Sequence, residues 1–119
     1  MQSVSSNAVA SALSIYGTET KTGAKWIDGK DIYRIGVKVN ANYGAGAEVT
    51  LIDLSNITYS AIIKIGCTIF NRNRYWTDGN ETGRSKAFFD AYTNRFIAAN
   101  AGTTDYGASV FYAYLEYTK

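Results

Sequence analysis

Between Ile57 and Ile69 every odd position is apolar: Ile57, Tyr59, Ala61, Ile63, Ile65, Cys67 and Ile69, with Thr58, Ser60, Lys64, Gly66 and Thr68 among the residues between them. A helix would scatter that set around its circumference. A strand gathers it on one face, because successive side chains alternate sides. The pattern predicts a strand over 61–70 with its odd side chains against a core, and any fold that accepts it must supply a second apolar layer opposite.

Similar signals recur along the chain. Segments 24–27 and 30–39 flank Asp28-Gly29, a pair favoured in two-residue type I′ turns because both central residues take positive φ. That turn would set Trp26 opposite Asp31 and Ala24 opposite Tyr33, with Ile35, Val37 and Val39 on the same face and Lys25, Arg34 and Lys38 on the other. Residues 18–23 read as a polar connector and 40–46 (NANYGAG) as a loop. Further strands are predicted over 49–54, 86–92, 95–100 and 108–118, the middle two joined tightly around Thr93-Asn94. Ten tyrosines, five phenylalanines and two tryptophans suit half-buried pleated surfaces, and there is no proline to interrupt a ladder. The expected fold class is all-β: an antiparallel β-sandwich or small barrel of about seven strands. A chain of 119 residues supports one such domain, over 18–119, and a short appendage over 1–17.

The appendage has a different character. Ser5 or Ser6 can cap a helix, and NAVASAL follows with three alanines and neither glycine nor proline until Gly17, which suits a C-terminal cap. Val9, Ala12, Leu13 and Tyr16 fall on one stripe of that helix. So short a helix is marginal alone, so the stripe must pack, either on this chain's own β-domain or on the same stripe of sister chains in a bundle.

Several kinds of chemistry find no residues here. There is no histidine, which removes the commonest general base and metal ligand, and the single Cys67 rules out an internal disulfide and paired-cysteine metal motifs. Cys67 itself lies in the apolar alternation and reads as a small core residue. The ten carboxylates are scattered with no spacing that marks an acid–base pair. TDGNE at Thr77 to Glu81 could offer oxygens to a hard cation but reads more simply as a turn. No catalytic residue, metal or cofactor is therefore expected. The net charge of +2 gives no footprint for a polyanion, and no apolar run is long enough for a membrane-spanning helix.

One cluster stands out. Arg72, Arg74 and Arg84 bracket Tyr75 and Trp76 in a polar segment over 71–85 that also holds Asp78, and is expected to form a loop or short hairpin. Flat rings can stack on sugars or bases, while guanidinium groups bond hydroxyl, carboxylate or phosphate oxygens. Arg72, Arg74, Tyr75, Trp76, Asp78 and Arg84 are thus the candidate ligand-binding residues. The competing reading folds Trp76 back into the core and leaves the arginines as a solvated face.

Several strings together resemble one family. MQSVSSNAVASAL is similar to the junction segment that often precedes the terminal domain of bacteriophage tail fibres. KWIDGKDIYR resembles the GTWIDGKPIYRK-type opening of a C-terminal domain of phage structural proteins, with Asp31 in place of the usual proline. ITYSAIIKIGCTIFNRNRYW and SVFYAYLEYTK resemble that domain's central and terminal strands. The resemblance implies a distal tail-fibre domain on the virion, homotrimeric through Val9, Ala12, Leu13 and Tyr16, that binds a glycan or protein of the bacterial host surface. It implies neither nucleic-acid binding nor membrane insertion. Such domains usually end longer polypeptides. A second expectation is a trimerising cap that registers the fibre without touching the host.

Overall fold

The computed structural model describes residues 17–77 and 85–119. Eight strands follow one another: β1 (Thr20–Lys25), β2 (Asp31–Asn42), β3 (Glu48–Asp53), β4 (Ala61–Asn71), β5 (Arg74–Trp76), β6 (Ser85–Asp90), β7 (Arg95–Asn100) and β8 (Ala108–Thr118). All pairings are antiparallel. One sheet has the order β1-β2-β8-β4-β5 and the other β3-β7-β6. The smaller sheet lies across the larger, with β3 against β2 and β8, and β6 against β4. The two-layer antiparallel architecture is a sandwich rather than a barrel, and no helix occurs among the described residues. The expected helix, with Val9, Ala12, Leu13 and Tyr16, lies outside them.

β8 organises the larger sheet, paired along its length with β2 on one side and β4 on the other. Its odd residues Ser109, Phe111, Ala113, Leu115 and Tyr117 are all buried, and the last four meet Ile35, Ile69, Phe96, Ala98, Leu51, Ile52 and Leu54 in one cluster. Each large apolar side chain taken from water contributes about 1.5–3 kcal/mol before chain entropy is charged against it. The odd residues of β2 face the same way, as the alternation predicts.

The departures have local causes. The β1–β2 connection is a three-residue loop: Trp26 N–H donates to Lys30 O and Gly29 N–H to Trp26 O, both at 2.9 Å. Only Gly29 takes positive φ, at 84°. Asp28 Oδ1 accepts from Lys30 N–H (3.0 Å), an aspartate turn that holds Asp28 at negative φ. Lys25 therefore faces Asp31, one step from the two-residue register. The two-residue loop with positive φ at both positions lies instead at Arg72 (49°) and Asn73 (60°), between β4 and β5. β5 is one strand more than the seven expected, and with the end of β4 it makes a short hairpin, one of the two forms expected for 71–85. β1 likewise begins in the supposed connector. The β6–β7 connection spans residues 91–94 rather than a tight Thr93-Asn94 turn, with Asn94 at φ 59°.

A bulge between Ile62 and Lys64 breaks the long alternation of β4, so that Ile62 packs on the core while Cys67 and Ile69 keep the odd-position face. Ile65, on that same face, is 44% exposed, because the narrower sheet does not cover it. Residues 40–46 are not a free tip. β2 runs to Asn42, and Tyr43 is 1% exposed, its hydroxyl 2.7 Å from Ser85 Oγ and its ring edge-on to Phe111.

Candidate ligand-binding face

The face of the larger sheet turned away from the sandwich interior is centred on the even residues of β8, where Val110, Tyr112, Tyr114 and Glu116 alternate with the core residues Phe111, Ala113, Leu115 and Tyr117. Strand register lays out its rows. Arg34, Glu116 and Lys64 form one row; Gly36, Tyr114 and Gly66 the next; then Lys38, Tyr112 and Thr68; then Asn40, Val110, Phe70 and Tyr75. The result is an aromatic strip edged by cations.

Tyr114 is the pivot. Glycines flank it on both neighbouring strands, and its ring lies over Gly66 so closely that a Cβ built there would fall within 3.0 Å of two ring carbons and the hydroxyl oxygen. An aromatic ring laid over a strand glycine covers backbone that would otherwise be open. On Tyr114's ring rests the Arg34 guanidinium, 4.5 Å from the centroid, with Lys64 Nζ at 5.8 Å. Arg34 Nε is also 3.6 Å from Glu116 Oε2. Stacking and ion pairing together fix the guanidinium at the surface. Lys38 Nζ stands 5.9 Å from the Tyr112 ring, and Tyr112 is 37% exposed.

Beside Arg34 the sheet is hollowed. A concavity of about 160 Å³ is lined by Thr20, Lys21, Thr22, Arg34 and Gly36. Its origin is local: Gly36 has no side chain, and the irregular pairing of β1 with β2 between Lys21 and Lys25 spreads the strands. Asp31 near this edge is bound by Lys25 (2.7 Å) and Lys21 (3.5 Å). The Lys25 hydrogen bond, with the charges of both lysines, holds its carboxyl below the ordinary aspartate value.

The residues singled out from sequence divide between two faces. Tyr75 joins the outer face, 69% exposed and packed on Phe70 with centroids 4.6 Å apart. Trp76, its neighbour in β5, points to the opposite side by simple strand alternation. There it packs on the core, and its Nε1–H donates to Asn71 Oδ1 (2.9 Å). The two rings therefore form no common platform. Arg72 turns toward the 105–106 loop, donating to Asp105 O (3.1 Å) with its guanidinium 4.9 Å from the Tyr106 ring. Arg74 is exposed and pairs in register with Asn71. Asp78 and Arg84 lie outside the described residues, as does all of the TDGNE run except Thr77. Among the described residues, no three His, Cys, Asp or Glu side chains converge as metal ligands would.

Residues of this face that were not among the candidates from sequence are Arg34, Lys38, Lys64, Phe70, Tyr112 and Tyr114. The signal for the tyrosines was present, since two of them hold even positions on a strand whose odd positions form the core. The stacking of Arg34 on Tyr114 required the cross-strand register. Comparison of the chain with protein-family models, with curated proteins and with solved structures gave no match.

Proposed function

We propose that this chain is the distal, receptor-binding domain of a bacteriophage tail fibre, homotrimeric on the virion, adhering to a glycan of the bacterial surface and catalysing no reaction. The observation that carries this reading is the outer face of the five-stranded sheet, where Tyr75, Phe70, Tyr112 and Tyr114 line up with Arg34, Lys38 and Lys64. Sugar rings present flat C–H faces and hydroxyl rims, which aromatic side chains and cations match. The WIDGK and YTK strings support the tail-fibre context by resemblance, and avidity from three copies would multiply weak single-site contacts.

Adhesion of the labelled chain to bacterial cells tests the proposal. The double substitution Tyr75→Ala and Tyr112→Ala is expected to reduce adhesion by about tenfold or more, the loss of two stacking contacts. Tyr92→Ala is the control, removing an aromatic that is 97% exposed in the β6–β7 connection, away from this face. Unchanged adhesion by the double variant, at unchanged thermal stability, rejects this face as the contact surface. It would favour the trimerising cap, a role for which the exposed Ile27 and Trp26 at the β1–β2 tip offer an apolar contact between copies. Solution mass reports on the trimer, and a monomer at high concentration counts against both assemblies.

A further inference from the structure

Resting on the glycan reading above, we infer that the saccharide taken by the outer face is acidic, with a sugar carboxylate held at Arg34. Across the rows of this face three basic side chains, Arg34, Lys38 and Lys64, stand against one acid, Glu116. That local excess of cations favours an anionic ligand. Arg34 is pre-set for it: Gly66 supports the Tyr114 ring, the ring supports the guanidinium, and Glu116 holds it from the Nε side. A planar guanidinium fixed in this way binds a carboxylate with little further loss of side-chain freedom.

The hollow beside Arg34, floored at Gly36 and walled by Thr20, Lys21 and Thr22, is well below the roughly 300–1,000 Å³ of a drug-sized pocket. It suits a single sugar unit or its substituent. Arg34 and Lys38 are four residues apart on β2, about 13 Å at strand rise. That spacing suits charges spread along a chain better than a single dense anion. A single-stranded nucleic acid fits less well at Arg34, because a base there would need an open ring to stack on and the guanidinium already lies on the Tyr114 ring, whereas a sugar carboxylate needs only the guanidinium.

The test measures binding of the full chain by titration calorimetry to polygalacturonate, to the same polymer methyl-esterified, and to an oligothymidylate. The acidic polymer is expected to bind at least about tenfold more tightly than its ester and to weaken as salt is raised from about 50 to about 300 mM. Arg34→Gln, which removes the charge, and Arg34→Lys, which keeps the charge but loses the planar fork, should each lose about tenfold in affinity while the fold signal by circular dichroism stays unchanged. Equal binding of acid and ester overturns the inference and leaves the glycan reading standing. So does adhesion to cells that neither polygalacturonate nor Arg34→Gln diminishes. Tighter binding of the oligothymidylate replaces the saccharide with a nucleic acid. Failure of both polymers together with failure to adhere to cells removes the inference and the reading beneath it.

Discussion

Gly36 and Gly66 sit on either side of Tyr114 in one row of the sheet, yet replacing each with alanine is expected to shift stability in opposite directions. Both lie in strands without positive φ, so alanine suits the backbone and, in a strand interior, gains about 0.5–1 kcal/mol over glycine. At Gly36 the new Cβ meets only Ala113 O at 3.8 Å, an ordinary contact, so the gain survives. At Gly66 the Cβ would lie within 3.0 Å of Tyr114 Cε1, Cζ and Oη, and the ring must swing away. Re-exposing about a third of a tyrosine that buries roughly 150–250 Å² costs about 1.5 kcal/mol at about 25 cal/mol per Å². Losing the Arg34 stack adds about 0.5–1 kcal/mol. Gly66→Ala should therefore destabilise by about 1–2 kcal/mol and Gly36→Ala stabilise by about 0.5–1 kcal/mol, a separation of about 2 kcal/mol because the gain over glycine is common to both. With an m-value of about 2 kcal/mol/M, the two urea midpoints should differ by about 1 M. In a Tyr114→Ala background the penalty at Gly66 should vanish and the substitution should become neutral or stabilising. A Gly66→Ala midpoint at or above that of Gly36→Ala would refute the account of Tyr114 as a ring seated on a glycine.

Thr118 is fully buried at the end of β8 with no hydrogen-bond partner for its Oγ1, so the near-isosteric Thr118→Val should raise stability by about 1 kcal/mol in urea unfolding. Asn100, 1% exposed, donates through Nδ2 toward the carbonyls of Tyr43, Gly44 and Thr104 (3.3, 2.9 and 2.8 Å) and accepts from Gly102 N–H (3.1 Å). Tyr43 O and Gly44 O keep the N–H groups of Tyr106 and Ala47, so Asn100→Ala strips its partner from Thr104 O and from Gly102 N–H and should cost about 1–3 kcal/mol, read by the same unfolding assay. Glu19 accepts from Tyr117 Oη and Lys119 Nζ, each at 2.6 Å. Burial pushes its carboxyl up, but the hydrogen bonds from Lys119 and Tyr117 and the Lys119 charge outweigh that and leave it below the ordinary value of 4.5. A lowered carboxylate contributes stability that is present above 4.5 and lost as pH falls through the folded value. Wild-type stability should therefore decline on acidification below about pH 4.5, and Glu19→Gln should flatten that decline while costing about 1 kcal/mol at neutral pH. Unfolding midpoints measured from neutral to acid pH check both parts.

The strands were legible wherever one face is core and the other wet, and that covers β2, β3, β4, β7 and β8 to within a few residues. Turn geometry was less legible, because the same dipeptide permits two solutions. Asp28-Gly29 can close a two-residue loop or end a three-residue one, and the bond from Lys30 N–H to the Asp28 carboxylate selects the second. The bulge at Ile63 was hidden for a related reason. An isoleucine on the wrong side of the count is still an isoleucine, so composition gives no warning that the register has slipped. β5 was too short to show a period, and only its pairing with the end of β4 makes it a strand.

The candidate site was legible in kind but not in position, and strand geometry explains the difference. Adjacent aromatics such as Tyr75 and Trp76 look like one cluster on paper, yet a strand sends neighbours to opposite faces, so their nearness in sequence is what separates them. Residues that share a face are two apart on one strand or opposite one another on the next. Tyr112 and Tyr114 meet the first condition, Tyr75 and Phe70 the second, and Arg34 reaches Tyr114 only because β2 lies beside β8 in a register that offsets the two by one row. In an all-β chain, the side chains that share an outer face are therefore better read from the even positions of the strand whose odd positions are most buried than from adjacency in sequence. By that criterion β8, buried at Ser109, Phe111, Ala113, Leu115 and Tyr117, directs attention to Tyr112, Tyr114 and Glu116 before any loop.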